Sequence, residues 1–247
     1  MKYLLSSALV FAVAVSSLSA QGEDVTVIGP GGIRAAVTAL IPEFERQTGH
    51  KVKATFGSGG GTKQQVIKGE PFDVPIVQPP LAEVIASGQV VASSETPLAT
   101  VPVVLAVRKG ARKPDISTPE AIKNVFLSAK SVSFPNPAGG AAAGVSIMAM
   151  LEKLGIAEVV KAKAKYGQLN LVAMGEAEVG LTFQSEIEEP GIDVVGTLPR
   201  ELLPPTGLVG FVSSHAKNPA VAKAFLAFLA SPEAAATYRK LGMQPGR

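Results

Sequence analysis

Apolar and polar positions along this chain switch between two periods, one strand-like and one helical. DVTVIG at residues 24–29 reads as a strand. Ile33, Val37, Leu40, Ile41 and Phe44 then recur at helical spacing over 33–48, and Gly49 is a natural stop. KVKATF at 51–56 alternates as a half-buried strand does, and a helix follows over 62–68. DVPIV at 73–77 is a further strand, which Pro75 predicts to be short or at a sheet edge because proline cannot donate to the ladder. After a helix over 81–87 comes VPVVLAVRKG at 101–110, apolar without alternation and rich in β-branched residues, the pattern of one continuous buried strand.

The remainder repeats the alternation. Helices are predicted over 119–127, 141–154, 170–174, 220–230 and 232–241, and strands over 131–134, 179–183, 193–196 and 207–212. KAKAKY at 161–166, the densest basic stretch, reads as the solvated face of a surface helix. This order predicts an α/β fold with mainly parallel sheets covered by helices on both faces. Prolines cluster near 97–102 and 199–205. They mark a boundary at which the chain crosses twice, giving one lobe from residues 21–99 plus 205–247 and a second from 100–204 inserted into it.

The first residues change the picture of where such a fold works. Lys2, an apolar run over 4–15 and the small residues SSLSA form a secretory signal peptide over 1–20, cleaved near Ser19 or Ala20. The run is shorter than the ~20 residues a spanning helix needs, so export to the periplasm without stable membrane insertion is expected. No cysteine is present, which excludes disulfides and thiol chemistry. Cleavage removes one of the 23 basic residues and none of the 20 acidic ones, leaving almost no charge excess. With no tryptophan and no basic stripe, nucleic-acid binding has no support.

Candidate chemistry gathers at glycine-rich junctions. FGSGGGTKQQ at 56–65 lacks the final glycine and the metal-binding hydroxyl of a phosphate-binding GxxxxGK[ST] loop. GPGGIR at 29–34 has Arg34 where a dinucleotide fingerprint needs its third glycine. Both loops nonetheless set glycines where a strand gives way to a helix, and FPNPAGGAAAG at 134–144 does so again, with Ala143 at its helix start. Free amides and the helix dipole make such junctions anion sites. Two fall in the first lobe and one in the second, so a shared cleft for one small anion is expected. Neither metal spacing around His50 and His215 nor a GxSxG elbow exists, and no cofactor is called for. Glu186, Glu188 and Glu189 read as the exposed start of a turn, Glu186 being nearest the expected cleft.

VTVIGPGGI, ATFGSGGGTKQQVIKGEPFDVPIV, VPVVLAVRKG, GEAEVGLTFQSE and FLASPEAAATYRKLGMQPG together resemble the molybdate-type periplasmic solute-binding proteins over essentially the whole mature chain. The resemblance implies the type II periplasmic binding fold, two lobes joined by two crossing strands, and delivery of a small anion to an ABC permease. It also sets Gly32 and Gly59 at two serine positions of the molybdate site and Phe183 at its tyrosine, with Ser58 one residue from the second serine. The hydroxyl donors are thus absent. Gly31, Arg34, Thr62, Lys63, Gln184 and Ser185 complete a lining suited at least as well to an organic carboxylate, which arginine grips in bidentate fashion. The same branch resembles aconitate isomerases, which need one base and no cofactor; Glu186 or Lys63 is then the candidate base.

Overall fold

Strand β1 (Asp24–Pro30) leads into α1 (Gly31–Thr48) in the computed structural model of the chain, which describes residues 24–246. The expected signal peptide lies outside the described residues. The chain continues through β2 (Lys51–Gly57), α2 (Gly59–Ile67), β3 (Val74–Val77), α3 (Ala82–Ala86), β4 (Thr96–Val101) and β5 (Val103–Arg108). Next come α4 (Pro119–Ser128), β6 (Val132–Phe134), α5 (Ala142–Lys153), α6 (Ala157–Lys161), β7 (Ala164–Tyr166), α7 (Asn170–Ala173), β8 (Val179–Phe183) and β9 (Ile192–Thr197). The last elements are β10 (Thr206–Gly210), α8 (Pro219–Leu229), α9 (Pro232–Lys240) and β11 (Gln244–Pro245). Helices α1 and α2 start two or three residues before the apolar periodicity does, because glycines supply their first turns.

Two sheets divide these strands. One has the order β11-β4-β10-β3-β1-β2 and the other β7-β6-β8-β5-β9. The fold is therefore α/β and two-lobed, but each sheet is mixed rather than mainly parallel. β1, β2 and β3 are parallel, as are β6, β7 and β8, whereas β10, β11, β5 and β9 pair antiparallel. The reason is the crossing chain: β5 and β10 each enter their sheet from the opposite lobe and run against its βα units.

The stretch expected to be one strand over 101–110 is two. Proline has no N–H to donate, and at Pro102 the chain leaves the first sheet and enters the second, while the Pro102 carbonyl accepts from the Gln184 amide at 3.0 Å. The return passage, residues 198–205, runs alongside, its Leu198 N–H donating to the Val103 carbonyl at 3.2 Å. Pro75 belongs to a short strand but a central one, between β1 and β10. It sits near the strand start, where its carbonyl still accepts from Phe211 at 2.9 Å. KAKAKY is not a helix face: Lys161 ends α6, and Ala164–Tyr166 adds an edge strand beside β6, where a lysine-bearing edge discourages further pairing.

Burial follows the helical and strand faces. Ile33, Val37, Leu40 and Phe44 of α1 are fully buried against the first sheet, and Ile147 and Leu151 of α5 against the second. One apolar cluster runs through both lobes, with Val101 and Phe183 at the junction. Among the described residues no helix is long and apolar enough to cross a membrane.

Candidate functional site

β1, β2 and β3 are parallel, so their C-terminal ends lie at one edge of the first sheet, the edge where open α/β sheets receive ligands. From that edge come Gly31, Gly32 and Arg34 of α1, Ser58 and Gly59 at the start of α2, and Gln78 after β3. The second lobe faces them with Ala141–Ala143 at the start of α5, Phe183 and Ser185 after β8, and Gln168 with Asn170 beside α7. Between them lies a cavity of about 740 Å³. The three glycine-rich junctions thus share one hollow.

The helix starts here differ from those of α4 and α9. α1 and α5 have no side-chain cap, and none of α1, α2 and α5 carries an acidic residue in its first turn. By contrast α4 and α9, which begin away from the cavity, are capped by Thr118 and Ser231 and carry Glu120 and Glu233. Free amides and a dipole with no acidic residue beside it leave the helix-start side of the cavity positive. Ser58 spends its hydroxyl inside its own helix, accepting from the Gly61 N–H at 3.1 Å.

The lobes touch directly around this hollow. Ser185 is buried and its hydroxyl donates to the Gly32 carbonyl at 2.8 Å, and Phe183 packs so close to Gly32 that a Cβ there would stand 3.2 Å from its ring. The Gly60 N–H donates to the Gly140 carbonyl at 3.0 Å on the opposite lip. Arg34 remains exposed, its guanidinium carbon 5.7 Å from the centroid of Phe56, a stacking that holds the cation at the cavity without neutralising it.

Glu186, Glu188 and Glu189 all border the cavity; Glu188 is exposed as expected, whereas Glu186 and Glu189 are half-buried. The turn closes on α1 and brings Glu186 over Gly31, where any Cβ would come within 2.7 Å of its Oε1. Burial pushes the Glu186 carboxyl above its ordinary range; the Thr182 hydroxyl, donating to Oε2 at 3.0 Å, and the Arg34 charge oppose that rise, and Glu188 adds to it.

Three residues of the expected lining stand elsewhere. Thr62 is fully buried, its hydroxyl donating to the Gly29 carbonyl at 3.3 Å to pin α2 onto β1. Lys63 donates to the Pro80 carbonyl at 2.9 Å, outside the cavity wall, with burial lowering its pKa. Gln184 lies against Gly242, where a Cβ would come within 2.3 Å of its amide. Conversely, Gln78, Gln168 and Asn170 line the cavity and were not expected. They are uncharged and off any periodic pattern; only the position of Gln78 at the end of a strand parallel to β1 could have marked it.

A model of the family described as bacterial extracellular solute-binding protein matches residues 25–244. The chain belongs to that family. This solute-binding protein is 33% identical over 232 residues to an aconitate isomerase from a Pseudomonas species, covering 89% of this chain and 87% of that one. To a molybdate-binding protein of Azotobacter vinelandii it is 28% identical, covering 96% of each chain. Its fold matches the solved structure of the Azotobacter vinelandii periplasmic molybdate-binding protein with a TM-score of 0.74 at 19% identity, covering 90% of this chain and all of that one.

Proposed function

We propose that this solute-binding protein works in the periplasm, closes its two lobes on a small organic carboxylate, and hands it to an ABC importer. One observation carries the reading: three helix starts without acidic first turns, drawn from both lobes and joined by Arg34, border a single hollow. Contacts made from both lobes favour the closed state over the open one, which is how capture is coupled to closure.

The lining of the hollow argues for a carboxylate over a tetrahedral oxyanion. The resemblance to the molybdate-type proteins sets Gly32, Gly59 and Phe183 at the two serine positions and the tyrosine position of their site. Each hydrogen bond to a charged guest that goes unreplaced costs roughly 1.5–3 kcal/mol, so molybdate is disfavoured. A thermal-shift panel tests this. Succinate, citrate, tricarballylate or the aconitates should raise the midpoint by about 5 °C or more near saturation, and molybdate, sulfate and phosphate by less. A protein that no anion stabilises overturns the proposal.

A second reading has its own support in Glu186. A half-buried carboxyl with a raised pKa on the wall of an anion cavity is the group that could take an allylic proton and return it at the far end of the double bond, with no redox step and no cofactor. The 33% identical relative is named for that conversion. Incubation with cis-aconitate and separation of the isomers decides: turnover lost in Glu186→Gln and kept in Lys63→Ala supports an isomerase, and no turnover removes it.

A further inference from the structure

Gln78 leaves the sheet at the end of β3, beside the junctions that deliver Gly31 and Ser58, and its side chain is 5% exposed. It lies on the cavity floor where two helix starts from opposite lobes approach each other. A Cβ on Gly59 would stand 2.1 Å from the Gln78 Oε1 and 2.9 Å from Ala142. Glycine at 59 is thus what makes room for the glutamine. Among the described residues, the Gln78 Nε2 is the buried side-chain polar atom that has no hydrogen-bond partner. Native folds seldom leave such a donor unspent, because each one forfeits its hydration.

We infer that Gln78 is a ligand-contacting residue that determines specificity, donating from Nε2 to a carboxylate oxygen of the guest. The inference rests on the carboxylate reading above and goes beyond it by assigning the contact. The chemistry suits the place. The amide offers two N–H donors and no charge, so it reads the position of an acceptor oxygen without adding to the positive field of the helix starts. That field draws any anion; an oriented amide on the floor accepts only one whose oxygen reaches it. A carboxylate on a carbon chain can extend one group to Gln78 while another meets Arg34 at the rim. The compact tetrahedral ion has no second group to offer.

The expected consequence is a trade of binding against stability. Gln78→Leu and Gln78→Met replace the unpartnered amide with apolar groups of similar size. Both should lower the affinity for tricarballylate, citrate or succinate, whichever the wild type binds, at least tenfold. The ligand-free melting temperature should be unchanged or higher, which a purely structural glutamine would not give. Titration calorimetry reads the first effect and ligand-free melting the second. Affinity within twofold of wild type in both variants overturns the assignment and leaves the carboxylate reading standing. A wild type silent to all three acids overturns that reading and this inference together. Should neither variant fold, the wild-type complex decides: a crystal structure with no guest oxygen within about 3.2 Å of Nε2 overturns the assignment.

Discussion

Gly60 and Gly140 meet backbone to backbone across the mouth of the cavity, the amide of one donating to the carbonyl of the other at 3.0 Å. A Cβ on Gly60 would lie 3.3 Å from the Gly140 Cα and 3.4 Å from its carbonyl oxygen, so any larger side chain wedges the lips apart. Gly60 sits inside α2, where most other residues have better helix propensity by up to about 1 kcal/mol. Gly60→Leu is therefore expected to weaken carboxylate affinity about tenfold, while the gain in helix propensity offsets part of the stability lost with the interlobe contact. Calorimetric titration alongside thermal melts separates the two effects.

Arg34 is the exposed cation at the cavity, stacked on Phe56. Its fork can grip a carboxylate through two parallel bonds. Arg34→Ala should cost about 10–100-fold in affinity for the organic acid, from roughly 1.5–3 kcal/mol of charge-assisted hydrogen bonding. Arg34→Lys should recover only part of it, since a point charge reproduces neither the fork nor the planar stacking. Equilibrium dialysis with a radiolabelled acid measures both.

Glu186 predicts a slope in stability against pH. Burial raises its pKa, so the folded chain holds the proton more tightly than the unfolded chain does. From about pH 4.3, the usual glutamate value, up to the raised midpoint, stability should fall as pH rises, and above that midpoint the whole cost of the buried charge is present. Glu186→Gln keeps the shape and removes the ionisation. Urea melts from pH 4 to 8 should show a flatter profile for the variant and a higher stability than wild type at the alkaline end. Parallel profiles would refute the idea.

Asp73 holds the first lobe together away from the cavity. It is 2% exposed and accepts from the Thr26 amide at 2.8 Å, the Thr26 hydroxyl at 2.6 Å and the Lys217 amide at 2.7 Å, tying β1 to the segment before α8. Asp73→Ala leaves those donors unpaired and should cost about 3 kcal/mol in denaturant unfolding. Affinity of the remaining folded protein should stay within twofold.

The legible parts of this fold were those with strong local physics. The β1–α1 and β2–α2 junctions could be read because glycines at a strand end followed by helical periodicity have few other meanings. The crossing at Pro102 was hidden, since Val101 and Val103 look like one apolar run and a single proline marks the change of sheet. Thr62 and Lys63 were drawn into the expected site by their neighbours in sequence. Helical phase turns one into the core and carries the other to Pro80. Gln78, Gln168 and Asn170 reach the cavity through long-range packing alone, which leaves no mark on a charge or hydropathy pattern. Glu186 looked like part of an exposed turn because its closure onto α1 is likewise a tertiary event.

The interleaved sheets bear on how the molecule is made. Every strand of the second sheet falls between residues 103 and 197, whereas β4 has its neighbours only in β10 and β11. The whole of the inserted lobe is synthesised before either neighbour of β4 exists. The inserted lobe can thus organise from its own strands, while the lobe that begins first must wait, its sheet open beside β3, for the arrival of β10.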